Sequence, residues 1–191
     1  SDITLTAATT IGSTGGTLQI GDPVLPALPI QGILDMGAHD LTFATDGGDI
    51  FLRETLTGTG DIFKTGSGIL TVKNGFNDFS SGDFFINDGT LILDTFNNED
   101  LGILGDITVG DGTGAAGSAL FQQGELESGS GLSNNLIADS SNIIINADGY
   151  WDLQGYKELV NNVTLNGGTI EAKNNSGTGD RLDIIGVLTA S

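Results

Sequence analysis

Apolar and polar side chains alternate at period two in short runs along the whole chain, and Gly, Asn, Asp or Ser separates most runs from the next. The pattern is densest between Gly58 and Leu93, where it predicts strands at 61–64, 69–73, 83–87 and 90–93. Two of these carry the same cell, glycine, a β-branched residue, Leu, a variable residue and an aliphatic: Gly68-Ile69-Leu70-Thr71-Val72 and Gly89-Thr90-Leu91-Ile92-Leu93. Gly16-Thr17-Leu18-Gln19-Ile20 repeats it near the N-terminus. Further strands are predicted at 3–5, 9–11, 30–34, 41–43, 48–52, 107–109, 119–122, 142–146, 150–153, 163–165, 169–172 and 181–190, with 125–127 also returning to the stack.

Strands this short cannot each bury a face alone, whereas parallel stacking at about 4.8 Å places their aliphatic positions in one continuous interior. With roughly 20 to 25 residues per turn the chain makes about eight rungs and spans roughly 40 Å. The expected architecture is an all-β, parallel β-helix forming one domain over residues 1–191. Two stretches depart from the rhythm. Pro23, Pro26 and Pro29 all fall within 22–29, which suits an extended insertion and forbids a central strand. A looser glycine-rich excursion is expected over 97–133, with a polar corner at Asn97-Asn98-Glu99-Asp100 and a long turn at 110–117. Asn134-Asn135 and Asn161-Asn162 have the look of asparagine corners stacked on successive rungs.

Composition agrees with repeats rather than a globule. The 191 residues include 31 glycines, about twice the usual frequency of roughly 7%, as corners between short strands require. There are 25 acids against six bases, for a net charge of −19. Nucleic acid and anionic membrane surfaces are therefore excluded as expected partners, and the acids serve to keep strand-rich faces soluble and apart. The absence of cysteine leaves stability to stacking and a continuous core. No run approaches the roughly 18 apolar residues of a membrane span. Ser1-Asp2-Ile3-Thr4-Leu5 has no basic stretch leading into an apolar one, so either a targeting signal has been removed or the chain is an excised segment.

The stretch Lys64-Thr65-Gly66-Ser67-Gly68-Ile69-Leu70-Thr71-Val72, then Gly75-Phe76-Asn77-Asp78-Phe79-Ser80-Ser81-Gly82, then Ile86-Asn87-Asp88-Gly89-Thr90-Leu91-Ile92-Leu93 resembles the autotransporter-associated β-strand repeat. It departs from that pattern by one extra serine in the turn and by Phe79 where tyrosine is usual. The resemblance implies a right-handed parallel β-helix in the passenger region of a secreted bacterial surface protein, and hence an extracellular or cell-surface location. It is looser at 149–155, 163–170 and 182–190.

Chemistry is weakly signalled. Ser67 has no nucleophile motif around it, and the single histidine, His39, has the setting of a turn residue. Asp180-Arg181-Leu182-Asp183 is the one Asp-Arg cluster, with Arg181 and Asp183 expected on one face. Asp46-Gly47-Gly48-Asp49 and Gly110-Asp111-Gly112 set carboxylates in turns but match no calcium-loop spacing, so whether a metal binds is left undecided. No catalytic residue and no cofactor is assigned. Trp151 and many of the nine phenylalanines are expected in the core, with a sugar-stacking role for Tyr150, Trp151 or Tyr156 as the lesser alternative. The expected function is structural: an adhesin shaft, a stalk, or a filament subunit that stacks head-to-tail through open terminal rungs, with a surface or glycan ligand left open. A carbohydrate-binding or carbohydrate-cleaving β-helix is the alternative.

Overall fold

A computed structural model describes residues 2–21, 32–73, 81–94, 103–124, 136–172 and 181–191. Among these residues all regular structure is β, and every named strand pair is parallel. The chain winds through eight rungs. The first holds β1 (Ile3–Thr4), β2 (Thr9–Gly12) and β3 (Gly16–Ile20). The second holds β4 (Ile33–Asp35), β5 (Leu41–Ala44) and β6 (Gly48–Leu52), the third β7 (Thr55–Thr57), β8 (Ile62–Thr65) and β9 (Ile69–Val72). In the fourth are β10 (Phe84–Ile86) and β11 (Gly89–Leu93), and in the fifth β12 (Ile107–Val109) and β13 (Ala119–Gln123). The sixth has β14 (Ile143–Asn146) and β15 (Gly149–Asp152). The seventh has β16 (Lys157–Val160), β17 (Val163–Asn166) and β18 (Thr169–Glu171), and the eighth β19 (Arg181–Ile184) and β20 (Leu188–Ala190).

Stacking these rungs gives the faces of a prism. One face is an eight-stranded sheet in the order β2-β5-β8-β10-β12-β14-β17-β20, and a second is a seven-stranded sheet from β3 to β18. The third is built in pieces: β1-β4-β7 at one end, β16-β19 at the other, and an Ile103–Ile137 bridge between. The parallel solenoid and its rung number are those expected. Hydrogen bonds across one corner count the coil lengths: 21 residues from Asp40 to Asp61, 22 to Asp83, 23 to Asp106, and 20 from Asn142 to Asn162. The longer coils, 31 residues from Asp2 to Ile33 and 36 from Asp106 to Asn142, contain the two interruptions. The proline segment 22–29 lies outside the described residues. Within 97–133, Ile103, β12 and β13 belong to the stack, and 111–117 stands out, fully exposed.

Period-two alternation places the core. Leu41, Ile62, Phe84, Ile107, Ile143 and Val163 follow one another in register down the first face, all buried. Ile50, Leu70, Leu91, Phe121 and Trp151 do the same on the second. Trp151 is fully buried and stacked on Phe121 with ring centroids 5.9 Å apart. Of the six described phenylalanines, Phe43, Phe84 and Phe121 are core residues, while Phe51, Phe63 and Phe85 point outward, the last two stacked at 4.9 Å. Aromatic stacking along a column thus serves both sides of the sheet wall.

Three local expectations differ from what is found. β7 and β16, formed by Thr55-Leu56-Thr57 and Lys157-Glu158-Leu159-Val160, were not among the expected strands. The single strand expected at 181–190 is two, β19 and β20, bent at Gly186, where a Cβ would be driven into the Asn162 side chain. Asn161 and Asn162 also stack on a different partner. Both side-chain amides donate to Asn142 Oδ1, at 3.2 and 2.7 Å, while Asn134 and Asn135 lie outside the described residues.

Candidate functional site

Polar side chains inside an aliphatic stack are the places where this fold departs from its own rule. Lys64 is the clearest. It sits in the interior column between Phe43 and Ile86 and is 1% exposed. Its Nζ donates to the carbonyl oxygens of Thr65 (3.2 Å), Gly66 (2.6 Å) and Asp88 (2.7 Å). Thr45 Oγ1, one rung earlier, donates to the same Thr65 and Gly66 carbonyls, both at 3.1 Å. One corner of three successive rungs is thereby tied by a fully buried cation. Burial lowers the Lys64 pKa from 10.5 to about 8, and the carboxylates of Asp88, Asp46 and Asp49 act in the opposite direction.

The same corner explains the Lys64-Thr65-Gly66-Ser67-Gly68 run. Gly66 has φ of +75°, where an L side chain is strained. A Cβ on Gly68 would be driven into the Gly48 carbonyl oxygen of the preceding rung. Ser67 alone faces solvent. His39 lies at the other end of the eight-stranded face, half-buried in a turn with its N–H donating to the Met36 carbonyl at 3.0 Å. The length of a strand separates the two, and they form no nucleophile pair.

At that opposite corner runs a ladder of carboxylates. Asp40 Oδ1 accepts the Asp61 N–H (3.1 Å), Asp61 Oδ1 accepts that of Asp83 (3.1 Å), and Asp83 Oδ1 accepts that of Asp106 (2.9 Å). Asp106 Oδ1 then takes the Asn142 N–H at 2.8 Å, and Asn142 and Asn162 carry the ladder on to Val187 N–H at 2.9 Å. The side chain of each rung satisfies a corner amide of the next. Sequence inspection placed Asp61 and Asp83 at the starts of strands and drew no link among these four acids; their spacing of 21 to 23 residues was the signal that they stack.

The other candidates are also engaged in the frame. Asp49 Oδ1 accepts the Ile69 N–H at 2.9 Å, while Asp46 stays exposed. Asp111 closes its own turn, accepting from the Thr113 N–H (2.8 Å) and Oγ1 (2.6 Å), bonds that hold its carboxyl below the usual range. The buried Asp148 anchors that turn from the next rung, accepting the Asp111 and Gly112 N–H groups at 3.3 and 2.9 Å. Among the described residues no group of three or more His, Asp or Glu converges on a metal position. Arg181 and Asp183 do share the outer face, as an exposed 2.5 Å ion pair. Asp180 lies outside the described residues. Trp151 and Tyr156 are buried, so of the three aromatic candidates only Tyr150 meets solvent.

A second interior polar group escaped the sequence reading altogether. Glu158 is 2% exposed and bonded to Gln123, itself fully buried. Both occupy positions where the alternation of β16 and β13 faces inward.

Comparison of the chain with protein-family models, with curated protein sequences and with solved structures returns no match.

Proposed function

We propose that this chain is a structural β-solenoid segment of an extracellular or cell-surface bacterial protein, serving as shaft, stalk or filament subunit. The observation that carries the proposal is the state of the two end rungs. The interior columns run to both of them, and their apolar residues are exposed: Ile3 and Leu18 at the first, Ile185, Val187 and Leu188 at the last. A parallel stack offers at each end a row of unpaired backbone groups around an apolar floor, and the partner it fits is a further rung in the same register. That rung belongs either to more of the same chain or to another copy. A head-to-tail contact between copies does not close on itself and propagates into a fibre. The surface location rests on the likeness of 64–93 to the autotransporter-associated repeat, and the function on shape, with exposed turns such as 111–117 as the contact points for any surface or glycan ligand.

Electron microscopy of the purified 191-residue chain over a range of concentration and calcium tests self-stacking. Long fibres of uniform cross-section are the expected outcome for a filament subunit. Separate short rods at every concentration would sink head-to-tail assembly and leave the spacer.

A further inference from the structure

The third face of the prism has a seam. Ile103 and Ile137 are bridged, and the Ile103 N–H and carbonyl bond to Leu136 and Ala138 at 2.9 and 2.8 Å. β16, the corresponding strand of the next rung, pairs only with β19 among the described strands. Among the described residues, the Glu158 side chain reaches across this gap. Glu158 Oε2 accepts the Leu136 N–H at 3.1 Å and the Gln123 Nε2–H at 2.5 Å, and Oε1 accepts the Ile137 N–H at 3.3 Å. A carboxyl stands where backbone carbonyls would ordinarily continue the ladder. Its donors flank residues 124–135, in the longest coil of the molecule.

We propose that Glu158 is a proton-linked latch for this seam, holding the Leu136 and Ile137 backbone and the Gln123 side chain against the seventh rung and loosening them as it gains charge. Among the described residues no ionised group lies opposite it to hold that charge. On its own strand Lys157 alternates to the outer side, as do Arg181 and Asp183 of β19, which pair with each other. β13 carries no ionisable residue, Asp139 is exposed beyond Ala138, and Asp152 of β15 accepts the Gln154 N–H. Burial accordingly raises the Glu158 pKa from 4.5 to about 8, against the pull of hydrogen bonds from the Leu136, Ile137 and Leu159 backbones and the Gln123 side chain. Gln123 supplies the complementary half. Its buried Oε1 has no partner among the described residues, and turning the amide over lets it accept the proton of a neutral Glu158.

The sign follows from linkage. With the seam closed the carboxyl keeps its proton up to about pH 8, whereas opened to water it ionises near 4.5. The latch is tightest below pH 4.5, weakens by about tenfold per pH unit up to pH 8, and levels off above. Amide hydrogen exchange of Leu136 and Ile137 in the full chain reads this directly, as protection factors corrected for the intrinsic base catalysis of exchange. The expected result is a tenfold loss of protection per pH unit between 4.5 and 8 in the wild type and a flat profile in Glu158→Gln. Carbon-13 NMR of the Glu158 carboxyl in the unmodified protein decides the matter even where the variant does not fold, with a midpoint near 8 expected. A midpoint between 4 and 5, or identical exchange profiles in the two proteins, would overturn the latch.

Discussion

Lys64 and the aspartate ladder are two ways in which a stack this acidic manages charge at single residues. Lys64 is the only base among the described buried residues, and its amine fills the hydrogen-bonding needs of three carbonyls that converge on a corner. Because its pKa is lower folded than unfolded, the cost of burying its charge is fully present below about pH 8 and vanishes as pH rises to 10.5. Stability should therefore rise over that window by on the order of 3 kcal/mol. In Lys64→Met that rise should be missing, as chemical denaturation from pH 7 to 11 would reveal; parallel slopes in the two proteins would refute it. On the ladder, Asp83 stands between Asp61 and Asp106 at rung spacing, about 4.8 Å from each. Asp83→Asn keeps an acceptor for the Asp106 N–H and removes one of three like charges, so a gain of about 0.5–1 kcal/mol is expected at low salt. Screening should erase it by 1 M salt. Asp83→Ala, which leaves the amide without its acceptor, should cost about 1 kcal/mol at either salt concentration. Melting curves of the three proteins at two ionic strengths test both expectations.

At the scale of the strand, the glycine-led cell was readable because it repeats along the chain and its alternation is local. Alternation sets Leu70 and Val72 inward, and Leu91 and Leu93 stack on them in register. The leading glycine answers to a neighbour instead: Gly68 approaches the backbone of Gly48, twenty residues earlier, too closely for any Cβ. Gly68→Ala should shift two rungs and destabilise by about 2–4 kcal/mol. Ser67→Ala, one residue away on the exposed side, should fall within about 0.5 kcal/mol of wild type. Thermal unfolding separates these outcomes, and equal effects would contradict the close-approach account. Two strands without the cell, β7 and β16, were not seen. β16 reads as a charged stretch because Lys157 and Glu158 are adjacent, yet only one of them faces water.

For the molecule as a whole, the net charge of −19 would oppose the head-to-tail contact proposed above. In such a contact the exposed apolar residues of the end rungs would attract at all salt concentrations, while the charge would act against it only when unscreened. Fibre formation, if this is a filament subunit, should thus be promoted by salt and suppressed in dilute buffer. Static light scattering on a salt series distinguishes this from assembly bridged by calcium, which responds to that ion at constant ionic strength.

Repetition decided how much was legible. Fold class, parallel stacking, rung number and the interior positions of Leu70, Leu91 and Trp151 follow from alternation and glycine spacing, which are properties of neighbours along the chain. Tertiary structure alone decided which corner residues meet: that Asp40, Asp61, Asp83 and Asp106 share one edge, that Asn162 stacks on Asn142, and that Glu158 reaches Gln123 and Leu136. Those contacts depend on the length of each coil, from 20 to 36 residues. A coil can lengthen at a turn without disturbing the alternation of any strand, so strand patterns leave the register between distant corners open, and stacking closes it.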